Sequence, residues 1–148
     1  MKYKEEIDID RPIDAVVALF DDPDSLKEWM DGFQGFTHLE GIPGERGAKS
    51  ALQFRQGKRT IEMVETILIR NLPEEFTATY TAKGVNNIST NRFIPLPDNR
   101  TRYVSEQEFN FSGFMKIIGF IFGRTFKKQT LRHLNSFKRF AETRIPAH

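Results

Sequence analysis

The chain has 148 residues and a mass of 17.2 kDa, enough for one domain that builds its core without covalent staples. With 39% hydrophobic and 28% charged residues it reads as globular, and the absence of cysteine excludes disulfides, thiolate metal sites and a cysteine nucleophile. Net charge is only +2 but uneven: residues 1–112 carry 14 Lys and Arg against 19 Asp and Glu, residues 113–148 carry 8 against one.

The first segment, Tyr3 to Ile9, places Tyr3, Glu5, Ile7 and Ile9 on one side and Lys4, Glu6 and Asp8 on the other, the period of a half-buried strand. Asp10-Arg11-Pro12 then opens a short helix, with Ile13, Val16, Val17 and Phe20 along one face. Asp21-Asp22-Pro23 breaks it. Leu26, Trp29 and Met30 form a second short amphipathic helix that ends at Gly32. The N-terminus shows no apolar signal segment, and the longest apolar run, Phe114 to Phe122, contains Lys116 and falls short of the roughly 18 residues of a membrane span. A cytoplasmic protein is the expectation.

From Gly35 to Phe111, turn residues recur at Pro43-Gly44, Gly47, Gly57-Lys58, Leu72-Pro73, Lys83-Gly84 and Pro97-Asp98-Asn99. Between them lie runs rich in Thr, Ile, Val and Phe, which predict an antiparallel meander of six strands. Residues 59–70 fit both a helical and an alternating period; their flanking Gly57 and Pro73 favour a strand. From Gly113 to Thr143 the period becomes helical. One face carries Phe122, Phe126, Thr130, His133, Leu134, Phe137, Phe140 and Ala141, and the other Arg124, Lys127, Lys128, Arg132, Asn135, Lys138 and Arg139. The order is strand, two short helices, six strands, one long helix.

Ile7-Asp8-Ile9-Asp10-Arg11-Pro12-Ile13-Asp14-Ala15-Val16 resembles the opening of the START-like, or SRPBCC, superfamily, which includes polyketide-cyclase-like and pollen-allergen-like proteins. Trp29, the turns near Gly47 and at Asn71-Leu72-Pro73, and the terminal helix with Asn135-Ser136-Phe137 fit the same pattern over nearly the whole chain. The resemblance implies an α+β helix-grip fold, one domain over residues 1–148: a curved seven-stranded antiparallel sheet wrapped around the long C-terminal helix, with a hydrophobic cavity between them. It also implies that the start of the long helix borders the cavity mouth. Gly119 and Gly123 there either weaken the helix to let ligand in or let it approach the sheet closely.

Alternation gives the facing directions. Phe76, Ala78, Tyr80 and Ala82 point one way, as do Tyr103, Ser105, Gln107, Phe109 and Phe111, while Arg102, Glu106 and Glu108 point the other. Met63, Ile67 and Ile69 are expected inward with Glu65, together with Leu52, Phe54, Asn87, Asn91 and Phe93; Glu65 also reads as a solvated residue on a splayed edge. The candidate ligand-contacting set is therefore Phe54, Met63, Glu65, Ile67, Phe76, Ala78, Tyr80, Asn91, Phe93, Gln107, Phe109, Phe122, Phe126, Thr130, His133 and Phe137.

His133 is the one histidine on a clear apolar face, and it reads as a structural residue, a ligand contact or an acid–base group. The histidine spacing supports no metal site, no cofactor is expected, and neither a Gly-rich phosphate loop nor GxSxG occurs. Three functions stay open. The chain binds or carries a hydrophobic small molecule such as a lipid, sterol, quinone or polyketide-like compound. Alternatively it is a polyketide cyclase or dehydratase using Glu65, Tyr80 or His133, or an interaction protein of the co-chaperone kind. The expected state is a monomer or weak homodimer. The basic helix face reads as a solvated surface, with peripheral contact to anionic lipid as the alternative; nucleic acid is disfavoured because the helix aromatics face away from the charges.

Overall fold

The alternating and turn-punctuated runs build one sheet. A computed structural model describes residues 1–144. Its elements are β1 (Lys2–Ile9), α1 (Ile13–Phe20), a 3₁₀ turn (Pro23–Ser25), α2 (Leu26–Trp29), β2 (Phe33–Glu40), β3 (Lys49–Gln56), β4 (Arg59–Asn71), β5 (Glu75–Ala82), β6 (Val85–Leu96), β7 (Arg100–Phe111) and α3 (Met115–Thr143). The seven strands pair antiparallel in the order β1-β7-β6-β5-β4-β3-β2. Strands β2 to β7 are a meander, and β1 forms the edge opposite β2, paired with β7 from Lys2↔Glu108 to Ile9↔Thr101. The helix-grip α+β arrangement is the one the sequence implies. Residues 59–71 form a strand, as their flanking turn residues indicate.

Local chemistry explains the joints. The β6–β7 turn places Asp98 and Asn99 at φ of 63° and 55°, a region that short polar side chains tolerate. Asp22 accepts a hydrogen bond from the Asp24 backbone N–H at 3.0 Å and caps the 3₁₀ turn. Gly84 sits at φ 79° in the β5–β6 turn, where a Cβ would lie 2.6 Å from Met115 Cγ, so glycine here lets the turn close on the start of α3.

The close-packed core occupies one end of the concave face. Ile9, Val16, Trp29, Phe93, Tyr103, Leu134, Phe137 and Ala141 are buried there together. Phe20 of α1 is the hub: its ring lies 4.9 Å from Phe93, 5.8 Å from Phe76 and Tyr103, and 6.0 Å from Phe137. Trp29 packs edge-on to Phe137 at 4.9 Å. Burying each such side chain contributes roughly 1.5–3 kcal/mol, which is how helices as short as α1 and α2 persist. The second half of α3 is also fastened to β1 by polar contacts. Lys138 Nζ donates to the Asp8 carbonyl at 2.6 Å, and the Asp10 N–H donates to Glu142 at 2.8 Å. Lys138, expected on the solvated basic face, is therefore half-buried against β1.

One facing direction is corrected. A bulge in β4 between Ile67 and Ile69 pairs Ile69 with Thr77 instead of keeping the alternation, so Ile69 turns to the convex side and is exposed while Ile67 stays buried. α3 is not straight either. Phe122 has non-helical backbone angles of φ −107° and ψ 16°, which divide the helix into a short first part and a long second part.

Trp29 is 9% exposed, yet its indole N–H has no hydrogen-bond partner among the described residues. Trp29→Ala is expected to cost about 3–5 kcal/mol in urea unfolding. Trp29→Phe removes the unpaired donor together with some volume, so its cost should stay below about 1.5 kcal/mol. A Trp29→Phe cost of about 3 kcal/mol or more, that of a plain core truncation, would show that the indole N–H carries no burden.

Candidate functional site

Cross-strand register assembles the concave face row by row. Phe93 and Tyr103 pair with each other and with Ile7 across β6, β7 and β1. The next row is Phe76, Asn91, Ser105 and Glu5. Then come Ile67, Ala78, Ser89, Gln107 and Tyr3, and after them Glu65, Tyr80, Asn87 and Phe109. The end rows, Ile7 with Phe93 and Tyr103 at one end and Ala82, Val85 and Phe111 at the other, are apolar, and the rows between them carry the polar side chains.

α3 meets this face at two places. Phe137 docks in the core just described, with its ring 5.7 Å from Tyr103. Phe126 stacks on Phe109 at 5.2 Å and leans on Phe111 at 5.6 Å, and Tyr3 stacks on Phe109 at 6.1 Å. Phe126 and Phe137 are eleven residues apart, about 16 Å along a helix. Between these two aromatic clamps the helix carries Thr130, His133 and Leu134, and the sheet rows between the clamps carry Ala78, Ser89 and Ser105. Its close contacts run along β1, β7, α1 and α2, and it makes no extended contact with β3, β4 or β5.

The polar residues of the middle rows satisfy one another. Tyr80 donates to Glu65 at 2.8 Å. The Asn87 amide donates to Gln107 at 3.0 Å, and the Gln107 amide in turn reaches the hydroxyls of Ser89 at 2.9 Å and Ser105 at 2.8 Å. Tyr103 donates to Asn91, whose amide points to the Phe76 carbonyl and Ser89. On the helix side, the Tyr3 hydroxyl pairs with Thr130 at 2.6 Å and donates to the Phe126 carbonyl at 3.1 Å. Hydrogen bonding makes this polar surface tolerable at low dielectric.

Burial sets the protonation states. Loss of water around Glu65 raises its carboxyl above the ordinary value, with the Tyr80 hydroxyl partly offsetting the effect. Tyr80 is raised much further, first by burial and then by the negative charge on Glu65. Burial lowers His133, opposed by the Asp31 carboxylate and reinforced by Arg132, so its imidazole is neutral at pH 7. His133 makes no hydrogen bond among the described residues, nor do three of them form a metal-binding group of His, Asp and Glu.

The candidate residues divide accordingly. Glu65, Ile67, Ala78, Tyr80, Asn91 and Gln107 lie together in the middle rows with Phe109; Phe126 stacks on Phe109, Thr130 bonds Tyr3 of β1, and His133 lies on the same stretch of α3. Glu65 is inward, paired with Tyr80, not on a splayed edge. Phe93 and Phe137 belong to the close-packed core, and Phe76 lies edge-on to Phe20 beside it. Met63 pairs with Leu52, and Phe54 packs against Phe33 at 5.6 Å, both toward the β2–β3 edge. Phe122 is a correction: it is 50% exposed, because the break in α3 at that residue takes it off the inward stripe. Tyr3 and Ser89 were not singled out from the sequence. The alternation through Asn87 and Asn91 marks Ser89, but Tyr3 requires knowing that β1 pairs beside β7.

The family model described as polyketide cyclase / dehydrase and lipid transport matches residues 1–139, and the chain belongs to that family within the START-like superfamily. No curated protein matches the chain. Among solved structures, the Zhui aromatase/cyclase from Streptomyces sp. R1128 superposes with a TM-score of 0.79 at 15% identity, covering 99% of this chain and 96% of that one. A protein from Chromobacterium violaceum gives 0.76 at 18% identity, with 97% and 99% covered. Truncated norcoclaurine synthase from Thalictrum flavum gives 0.72 at 12% identity, with 98% and 95% covered. At these identities the likeness is one of fold.

The raised Glu65 carboxyl has a stability signature. Its folded form holds a proton to higher pH than the unfolded chain, so its contribution is full below about pH 4.5 and is lost as pH rises through the folded value. Glu65→Gln should abolish that part of the slope and become more stable than the wild type near pH 7, measured as urea midpoints across pH 4–8. A wild-type-like slope in the variant would exclude Glu65 as its source.

Proposed function

We propose that this member of the family binds a hydrophobic small molecule between the concave face of β3–β7 and the second part of α3, holding its polar end on the middle rows. The observation that carries the reading is the interval between the two aromatic clamps. There the sheet offers Ala78, Ser89 and Ser105 in place of large side chains, and the helix offers Thr130 and His133. Apolar walls with a few convergent polar groups are the composition of small-molecule sites. The Glu65–Tyr80 and Asn87–Gln107 pairs provide acceptors and donors that an incoming hydroxyl or carbonyl can engage by exchanging partners. Binding without turnover is favoured because these groups are already satisfied by one another.

A cyclase or dehydratase remains the second reading, and the Glu65–Tyr80 pair supports it. A carboxyl group raised by burial and fixed by a phenol 2.8 Å away has the placement of a general base for abstracting a proton from an activated carbon.

The test is native mass spectrometry of the purified protein with organic extraction, followed by titration with apolar dyes, fatty acids, sterols and quinones. One molecule per chain is expected. Ala78→Trp, which fills the floor, and Thr130→Phe, which fills from the helix side, should each weaken binding at least tenfold, about 1.4 kcal/mol. Glu65→Gln separates the two readings: it abolishes turnover of a polyketide-like substrate in an enzyme and leaves affinity within a few-fold in a carrier. A folded wild type that binds none of these compounds would overturn both.

A further inference from the structure

The first part of α3 does not point its apolar side chains inward. Phe114 is 73% exposed, Ile117 57%, Phe120 91% and Ile121 63%. The opposite side of this segment is firmly seated: Gly119 is buried, and a Cβ there would lie 2.5 Å from the Phe111 ring. The glycine lets the helix approach the sheet closely, so the outward apolar residues are held outward by the packing behind them.

On a helix advancing 100° per residue, Phe114, Ile117, Phe120 and Ile121 share one outward half, and just past the break at Phe122 come Arg124, Lys127 and Lys128, all exposed. Apolar residues thus occupy the tip, and cations follow about 5–10 Å behind it. Lys116 stands within the apolar group, and Lys83 belongs to the β5–β6 turn that closes on Met115. Among the described residues, Lys83, Lys116, Arg124 and Lys128 make no ion pair, whereas Lys127 lies 3.7 Å from Glu5. The single acid of α3, Glu142, is at its far end and held by Lys138. An open groove of about 580 Å³ between β1 and this segment adds Met1 and Lys2 to the same surface.

We infer that the start of α3 is a docking surface for an anionic lipid bilayer, with Phe114, Ile117, Phe120 and Ile121 entering the interface and Lys116, Arg124 and Lys128 meeting the headgroups. An apolar tip backed by a cationic belt matches the layering of an interface, where acyl chains lie beneath charged headgroups, and long lysine and arginine stems reach back to that charge. A large exposed apolar patch on a soluble surface marks an interaction site. A second copy of this chain fits less well, because a two-fold contact through this patch would bring two uncompensated cationic belts together. The inference does not depend on what the concave face holds.

The experiment is flotation of the purified protein with phosphatidylcholine vesicles, with and without one-third phosphatidylserine. Binding is expected only with phosphatidylserine, at least tenfold over the neutral vesicles. It should fade toward 1 M salt, where the Debye length falls from about 10 Å to about 3 Å. Phe120→Ser combined with Ile121→Ser, and separately Lys116→Glu with Arg124→Glu, should each reduce it at least tenfold. Both double variants alter exposed side chains, and circular dichroism with Trp29 emission verifies that they fold. Phe120→Trp should give blue-shifted emission on the anionic vesicles. Equal binding to both vesicle types, no binding to either, or a solution dimer dissolved by Phe120→Ser would overturn the inference. Because no cargo is added, a failure here leaves the ligand-binding reading standing, and the converse also holds.

Discussion

Everything in this domain depends on how one helix is held against one curved sheet. α3 is clamped twice by aromatic side chains, through Phe126 on Phe109 and Phe111, and through Phe137 on Tyr103, Phe20 and Trp29. Aromatic rings bury large areas and keep a stacked or edge-on geometry, so two such contacts fix the position and rotation of a long helix. Continuous close packing along its length is then unnecessary. The interval between the clamps is free to carry small and polar residues, and it is there that the candidate site lies.

That freedom has a physical limit. A sheet lined with Asn, Gln, Ser, Tyr and Glu on its inner side pays a desolvation cost for every group left unpaired. The protein meets it by cross-strand pairing. Glu65 faces Tyr80, Asn87 and Ser89 flank Gln107, and Asn91 serves Tyr103. Each partner sits on a neighbouring strand, directly opposite for Glu65–Tyr80 and Ser89–Gln107 and one row along for Asn87–Gln107 and Asn91–Tyr103, so the hydrogen bonds follow from the sheet itself. Among the described residues the exception is the Trp29 indole N–H, which packs against Phe137 within the core.

The two parts of α3 do different physical work. Beyond the break at Phe122 the helix closes the domain, and its C-terminal end is tied to the end of β1 by Lys138 and Glu142. Before the break, Gly119 seats the segment on Phe111 while the bulky apolar residues face away. No helix among the described residues is long and apolar enough to cross a membrane. What distinguishes the segment is an apolar tip beside the cationic side of an otherwise acidic chain.

Much of the fold was legible in the chain alone. Period-two runs, turn residues at regular spacing and one long amphipathic helix set the element order, because these signals are local and report which side of each element is apolar. The same alternation pointed Tyr80, Gln107, Phe109 and Ala78 inward. It failed where backbone irregularity broke the period: the β4 bulge turned Ile69 outward, and the break in α3 turned Phe122 outward. It could not pair Glu65 with Tyr80 or bring Tyr3 to Thr130, which lie 15 and 127 residues apart along the chain. Sequence determined which residues are apolar, which alternate and where the chain turns. Only the tertiary structure decided which polar side chains meet and which apolar ones remain uncovered, because register and helix rotation are set by packing between elements distant along the chain.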